Sequence, residues 1–210
     1  MKIMFSADGI SESELEKTST IAKHVDCVKI GHILCSTLSF DEINKLVGDK
    51  DIFLDFKFHD IPNTVATAIE NYSNSIKNLK YFTFHGTASD KMIKAAITAK
   101  TNAIALAVIT LSSDADFDKE DSLEKFERCF NLGVRNFICH PFLVADVRKK
   151  FGKEVKLYVP GVRLEEDSSD DHFNALTPQK AKELEVDYII VGRPLLKADN
   201  ILEKLSKYDF

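Results

Sequence analysis

Residues 51 to 64 read DIFLDFKFHDIPNT, and this stretch is the strongest indication of the fold. It contains a short apolar run, Ile52 to Leu54, of the kind that forms a fully buried strand. Acidic and basic side chains follow at once, and Pro62 then suits the first turn of a helix. Charged groups at the end of a buried strand are costly unless they pair with one another. We therefore interpret the stretch as a strand, an active site and a helix in succession.

Strand-like and helix-like segments alternate along the whole chain. Short apolar segments cover residues 2–7, 27–30, 52–55, 81–84, 103–109, 136–139, 156–159 and 188–191. Segments with helical spacing cover residues 11–24, 40–47, 62–75, 90–99, 119–132, 142–151, 178–185 and 198–208. Eight strand-then-helix units predict parallel strands joined by helical crossovers. We therefore expect an α/β fold, a (β/α)8 TIM barrel, as a single domain over residues 1–210.

A doubly wound open sheet is the alternative fold. Such a sheet needs fewer strands, and a glycine-rich turn usually follows its first strand. In this chain the corresponding turn reads Asp8-Gly9-Ile10-Ser11, which does not match the pattern G-x-G-x-x-G. The closed barrel is therefore the fold that we predict.

Composition and charge argue against several classes of function. The chain has 28 basic and 33 acidic residues and a formal net charge of -5, so it lacks the basic excess typical of proteins that bind nucleic acid or anionic membranes. No apolar run is long enough for a membrane span or a signal peptide. The four cysteines show neither a CxxC pair nor the spacing of a metal finger, which indicates reduced thiols and a cytoplasmic protein.

Polar residues are concentrated where the predicted strands end. In barrels of this kind the carboxyl ends of the strands carry the chemistry. These positions hold Asp8, Lys29, Asp55, Lys57, His85, Ser112, the segment Pro160-Gly161-Val162-Arg163 and the pair Gly192-Arg193. Scattered surface charge would not follow the strand ends in this way.

Lys29, Asp55, Lys57 and Asp60 are predicted to form an array of alternating charge. Each carboxylate would have a cation nearby, and such an array can hold a lysine protonated and rigid, ready to donate its proton. A structural network of ion pairs at the rim of the barrel is the other interpretation. The position of the array at the end of a buried strand favours a catalytic role.

Gly192 and Arg193 follow the last predicted strand and are expected to bind phosphate. Loops after the seventh and eighth strands of TIM barrels commonly bind phosphate. Glycine allows the backbone to approach closely, and arginine supplies a pair of donors. A surface turn without a ligand is the alternative.

The remaining polar candidates have weaker patterns. His85 is either a buried histidine bonded to backbone or a substrate contact. Ser112 and Ser113 have no partner that would make either of them a nucleophile. The other histidines are too dispersed for a metal site. The acidic run from Glu165 to Asp171 is expected to be a solvated loop or a mobile lid.

Several segments, in the right order, resemble the orotidine 5'-phosphate decarboxylase family. Residues 55–64 resemble the family signature D-x-K-x-x-D-I-x-x-T. The other matching segments are Asp8, Val28-Lys29-Ile30-Gly31 (V-K-x-G), His85, residues 107–113, Val159-Pro160-Gly161-Val162-Arg163 (T-P-G-I-R) and Val191-Gly192-Arg193 (V-G-R). The resemblance extends over nearly the whole chain.

The resemblance implies a decarboxylase without a metal or an organic cofactor, which turns orotidine 5'-phosphate into UMP in pyrimidine synthesis. Lys57 would protonate the ring carbon as carbon dioxide leaves. Asp55 would lie against the substrate carboxylate, and Lys29 and Asp8 would hold the ribose hydroxyls. A fixed cation beside a carbanion that no cofactor delocalises is chemically reasonable.

The resemblance also implies further substrate contacts and a homodimer with shared active sites. Asp60, Ile61 and Thr64 would reach into the site of the partner chain. Ser112 would bind the pyrimidine and Arg193 the phosphate, and the same substrate-binding set includes Pro160, Arg163 and Gly192. The family usually has a glutamine in the loop after the seventh strand, and the best-matching position here is His172.

Two other functions stay open at this point. One is a metal-dependent sugar-phosphate decarboxylase or aldolase of the same superfamily, which carries a glutamate ligand where Lys29 stands. A lysine cannot coordinate a cation, so this residue argues against the metal enzyme. The second is a barrel that binds nucleotides without catalysis, which the intact set Asp55, Lys57 and Asp60 argues against.

Overall fold

The computed structural model describes residues 1–114, 116–167 and 176–208. Its strands are β1 (Lys2–Ser6), β2 (Cys27–Ile30), β3 (Asp51–Phe58), β4 (Leu79–His85), β5 (Ile104–Val108), β6 (Asn136–Ile138), β7 (Lys156–Pro160) and β8 (Tyr188–Val191). Each strand pairs in parallel with its neighbours in the chain, and β1 pairs with β8. These eight strands close into a barrel, which confirms the predicted fold.

Helices alternate with the strands. They are α1 (Leu15–Ala22), α2 (His32–Thr37), α3 (Phe40–Val47), α4 (Pro62–Ser75), α5 (Asp90–Ile97), α6 (Lys119–Asn131), α7 (Val144–Phe151), α8 (Pro178–Glu183), α9 (Arg193–Leu196) and α10 (Ile201–Ser206). The bounds of α3 and α4 are as predicted. Pro62 occupies the first turn of α4, where its missing N–H and its fixed backbone angle suit a helix start.

Most of the other helices differ from the prediction at their ends, and two regions differ for a clear reason. The sequence did not indicate α2, because its six residues are too few for a helical repeat and Gly31 before it has no side chain to cap it. The last predicted helix, residues 198–208, begins later, at Ile201. Asn200 sets that start, because its side chain accepts a hydrogen bond of 3.1 Å from the amide of Glu203. The short helix α9 precedes it.

Strand β3 is longer than predicted and carries a bulge. It continues to Phe58 instead of ending at Asp55, so the charged residues lie within the strand. Leu54 and Phe58 pair with residues only two apart in β4, so residues 55–57 lie opposite the single residue Thr83. Such a bulge bends the strand and changes the direction of its side chains.

Two apolar clusters surround and fill the barrel. The larger one includes the strand residues that face the helices. The smaller one lies in the lumen and consists of Met4, Cys27, Phe53, Tyr81, Leu106, Tyr158 and Ile190. Strand side chains alternate between two faces, so the residues two positions later also face the lumen. These are Ser6, Lys29, Asp55, Thr83, Val108, Pro160 and Gly192. The second layer is therefore polar on β1 to β4, and it lies directly above an apolar floor.

Candidate active site

A cavity of about 840 Å³ opens at the carboxyl ends of the strands. Most residues predicted for the site line it, and they come from six different strands or the loops that follow. They are Asp8, Lys29, Asp55, Lys57, Ser112, Pro160, Arg163, Gly192 and Arg193. The barrel thus brings together side chains that are far apart in the sequence.

Three predicted residues do not line this cavity. Asp60, Ile61 and Thr64 are exposed after β3, and 64% of the surface of Ile61 is accessible. Asp60 forms no ion pair with any residue in the described ranges. The array within one chain therefore consists of Lys29, Asp55 and Lys57, and the prediction that Asp60 belongs to it is wrong for a single chain. His172 lies outside the described residues.

Lys29, Asp55 and Lys57 form the centre of the site. Lys29 Nζ lies 2.9 Å from one carboxylate oxygen of Asp55, and Lys57 Nζ lies 3.0 Å from the other. Burial raises the pKa of Asp55, but the two ammonium groups outweigh burial and lower that pKa to about 2. Asp55 is therefore ionised at neutral pH. Two ammonium groups and one carboxylate leave one positive charge in excess, which favours an anionic ligand.

The backbone of Lys57 is held in an unusual conformation. Its φ angle is 49°, in the left-handed region that a side chain with a Cβ rarely adopts. The amide of Lys57 donates a hydrogen bond of 2.9 Å to the hydroxyl of Thr83, and that hydroxyl donates one of 2.9 Å to Asp55. The strained backbone and the carboxylate of the array are thus connected through one buried side chain.

Asp8 lies against the backbone of Gly31. A Cβ atom at Gly31 would lie only 2.1 Å from Oδ2 of Asp8. Oδ1 of Asp8 accepts a hydrogen bond of 3.3 Å from the amide of Leu34 in α2. Gly31 is therefore required for the position of Asp8 and not for an unusual backbone angle, since its φ is -133°.

The cavity wall formed by β7 and β8 is basic. Arg163 and Arg193 line it together with Lys197. A Cβ atom at Gly192 would lie 3.3 Å from the backbone oxygen of Ser6, so glycine allows β8 to run close to β1 here. Local positive charge and accessible backbone are suited to a phosphate group.

The described start of the acidic run is anchored rather than freely solvated. Asp167 accepts hydrogen bonds from Lys204 Nζ at 2.5 Å, from the hydroxyl of Tyr208 at 2.9 Å and from the amide of Leu164 at 3.0 Å. The expectation of a solvated loop is therefore wrong for Asp167, whereas Glu165 and Glu166 are exposed as expected. The rest of the run lies outside the described residues.

His85 lies at the end of β4, beside the strand that carries Lys57, and it is not among the residues that line the cavity. Its ring lies 5.4 Å from that of His59. Burial lowers the pKa of His85, and the charges of His59 and Lys57 lower it further. The structure gives this histidine a place among the groups around Lys57, without a direct opening to the cavity.

Ser6 and Thr83 are among the residues of the site that the sequence analysis missed. Ser6 lines the cavity, and Thr83 contacts both Lys57 and Asp55. Each is a polar residue in a mainly apolar strand, at a position that faces the lumen. This pattern could have indicated from the sequence that both residues belong to the site. A threonine is also a common residue in strands, which makes the second signal weak.

The described ranges show no arrangement typical of a metal site. No group of three or more His, Cys, Asp or Glu side chains there is arranged to hold a metal ion. No helix in those ranges is both long and apolar enough to cross a bilayer. All four cysteines are unpaired.

Comparison with known proteins assigns the family. A model of the family described as "Orotidine 5'-phosphate decarboxylase / HUMPS family" matches residues 1–208. The chain belongs to this family. The orotidine 5'-phosphate decarboxylase of Mannheimia succiniciproducens is 31% identical over 222 aligned residues, which cover 97% of this chain and 94% of the relative. That of Bacillus cereus (strain G9842) is 34% identical over 171 residues, which cover 72% of this chain and 71% of the relative.

Solved structures of the orotidine 5'-phosphate decarboxylase family agree with this assignment. The crystal structure of orotidine 5'-phosphate decarboxylase from Lactobacillus acidophilus has a TM-score of 0.80 and 25% sequence identity, and the match covers 100% of this chain and 99% of that chain. The family resemblance predicted from the sequence is confirmed.

Proposed function

We propose that this chain converts orotidine 5'-phosphate into UMP and carbon dioxide, without a metal ion or an organic cofactor. The observation that carries the proposal is the ion pair of Lys57 and Asp55, 3.0 Å apart and facing a cavity large enough for a nucleotide. Relatives that are named orotidine 5'-phosphate decarboxylase support the same activity.

In the proposed reaction, the bond between the pyrimidine ring and its carboxylate breaks and carbon dioxide leaves. The electron pair stays on the ring carbon, which then takes a proton from the ammonium group of Lys57. The neutral amine of Lys57 regains a proton from solvent. A carbanion of this kind needs a fixed positive charge beside it when no cofactor delocalises it.

Asp55 is proposed to hold Lys57 in place and to lie against the substrate carboxylate. Its pKa of about 2 keeps it charged throughout the neutral range. Lys29 shares Asp55 with Lys57, at 2.9 Å, and so keeps this carboxylate paired on both oxygens. We propose that Lys29 also binds a ribose hydroxyl, together with Asp8.

The other cavity residues are proposed to bind the two ends of the substrate. Ser112 would contact the pyrimidine. Arg193, with Arg163, the backbone at Gly192 and the rim at Pro160, would bind the phosphate. The basic character of this wall supports the assignment. His172 is kept as a candidate donor for the same end of the substrate.

We propose a homodimer in which Asp60, Ile61 and Thr64 complete the site of the partner subunit. These residues are exposed in the single chain, directly after the strand that carries Lys57. A large apolar side chain such as Ile61 with 64% of its surface accessible is consistent with a contact to another chain. A carboxylate from the partner would complete the four-membered array.

The proposal also covers the number of domains and the location of the protein in the cell. We propose that residues 1–210 form one domain, because the family match extends over residues 1–208. We also propose that the protein works in the reducing cytoplasm, because its four thiols are unpaired.

Product analysis with and without a chelator tests the proposed function. The purified protein is incubated with orotidine 5'-phosphate in EDTA, and in parallel with EDTA replaced by Mg²⁺. We expect UMP and carbon dioxide in equal amounts under both conditions. Decarboxylation that requires Mg²⁺ would contradict the reaction without a metal ion. Tight binding of UMP without turnover would support the non-catalytic barrel.

A further inference from the structure

The hydroxyl of Thr83 occupies a gap that the bulge of β3 leaves in the pairing with β4. Residues 55–57 lie opposite this one residue, so an ordinary ladder of backbone hydrogen bonds cannot continue there. The amide of Lys57 donates to the side chain of Thr83 instead, at 2.9 Å. Thr83 is fully buried, so bulk water has no access to take over this contact.

The donors and acceptors at Thr83 have only one consistent arrangement. A backbone N–H can only donate, so the hydroxyl oxygen accepts from Lys57 and its own proton goes to Oδ1 of Asp55. The same Oδ1 lies 3.0 Å from the ammonium of Lys57. A closed ring of contacts therefore runs from the backbone of Lys57, through Thr83 and Asp55, to the end of the Lys57 side chain.

This ring stabilises a conformation that the backbone does not prefer. Lys57 has a φ angle of 49°, a left-handed conformation that residues with a Cβ atom rarely adopt because the Cβ atom crowds the backbone. Such a conformation persists only where surrounding contacts enforce it. Among the described residues, Thr83 is the one whose side chain accepts a hydrogen bond from the amide of Lys57, so this contact holds the backbone of Lys57 in place.

We propose that Thr83 is a positioning residue, which fixes the left-handed backbone of Lys57 and the orientation of Asp55 so that the ammonium group points into the cavity. The kinetic consequences rest on the proposed decarboxylation. The positioning of Lys57 can be tested separately from it. Thr83 acts through Lys57 and Asp55, and it does not line the cavity itself.

The kinetic test compares Thr83→Val, which keeps the shape and removes the hydroxyl, with Thr83→Ser, which keeps the hydroxyl. We expect Thr83→Val to lower kcat about 10- to 100-fold, with KM for orotidine 5'-phosphate changed less than about threefold. Thr83→Ser should recover most of the rate. Thr18→Val is the matched control, because Thr18 is also fully buried and its hydroxyl makes no hydrogen bond with a described residue.

A second measurement does not depend on turnover. Hydrogen exchange of the Lys57 amide, followed by NMR, should accelerate about tenfold or more in Thr83→Val and remain slow in Thr83→Ser and Thr18→Val. Unchanged exchange in Thr83→Val would overturn the proposal. So would an unchanged kcat, a loss in Thr83→Ser as large as in Thr83→Val, or a rise of KM that accounts for the whole effect. If the unaltered chain fails to decarboxylate, the proposed function is wrong, and the exchange rates alone still decide the role of Thr83.

Discussion

Lys57 Nζ lies 3.0 Å from Oδ1 of Asp55, and both residues belong to the same bulged strand. In a regular strand, residues two positions apart, such as Asp55 and Lys57, point to the same face. This strand is not regular here, because the φ angle of Lys57 is positive and bends the backbone at that residue. The pair is therefore set by local backbone geometry as well as by charge. Lys29, on the neighbouring strand, contacts the remaining oxygen of Asp55 at 2.9 Å.

Acid titration of Asp55 tests the electrostatic part of the site. The pKa of Asp55 is lowered from 3.8 to about 2, which corresponds to ~2 kcal/mol of folding free energy. Because the folded-state pKa is the lower one, this stabilisation is present above about pH 4 and is lost as the pH falls toward about 2. Carbon-13 NMR of the side-chain carboxyl should therefore show no titration of Asp55 above about pH 3, with Asp55→Asn used to assign the signal. A midpoint near 4 would contradict the charge array.

Gly31→Ala tests whether the position of Asp8 depends on the missing side chain. The added methyl group would lie 2.1 Å from Oδ2 of Asp8, so the carboxylate must move. We expect kcat/KM for orotidine 5'-phosphate to fall about tenfold, mainly through KM. In an Asp8→Ala background the same substitution should have little further effect, because the group that it displaces is gone. Equal losses in both backgrounds would show that Gly31 acts through another contact.

Arg193→Ala tests the proposed phosphate site. Loss of a charge-assisted pair of hydrogen bonds should weaken binding of UMP about 100-fold, as measured by calorimetry, and leave binding of uridine nearly unchanged. Arg135→Ala is a matched control, since Arg135 is exposed next to the amino end of β6, at the other end of the barrel. Equal weakening of UMP and uridine would remove Arg193 from the phosphate site.

Subunit mixing tests the shared site. If Asp60 serves the partner subunit, a dimer of one Lys57→Ala chain and one Asp60→Ala chain contains one intact site. Random mixing of the two inactive variants should therefore restore about one quarter of the activity. Lys57→Ala mixed with Asp55→Ala is the control, because both residues serve their own chain and no intact site forms. Rescue in the control, or none in the first mixture, would contradict the division of the signature between two chains.

Much of the barrel was predictable because its signals are local. The bounds of β2, β8 and α4 follow from apolar runs and from Pro62. The strand-end rule also predicted about half of the residues that line the cavity, from Asp8 to Arg193. These features depend on residues that are close in the sequence, or on a rule that holds for all barrels of this type.

The unpredicted features depend on contacts between distant segments. The left-handed backbone of Lys57 and its bond to Thr83 require the register of two strands to be known. The closeness of Gly31 and Asp8 likewise appears only when β1 and β2 are side by side. Asp60 was expected in the array because it is near in sequence, but in one chain the turn after β3 leaves it exposed.

Lys57 is proposed to supply the proton in a decarboxylation that needs no cofactor. The most direct measurement compares kcat of the unaltered chain and of Lys57→Ala with orotidine 5'-phosphate in EDTA, with folding and UMP binding checked in both. Lys149→Ala, an exposed lysine on α7, serves as the control. We expect the control to match the unaltered chain and Lys57→Ala to lose about 10⁴-fold in kcat or more, while still folded. A folded Lys57→Ala variant with a near-normal rate would contradict the claim.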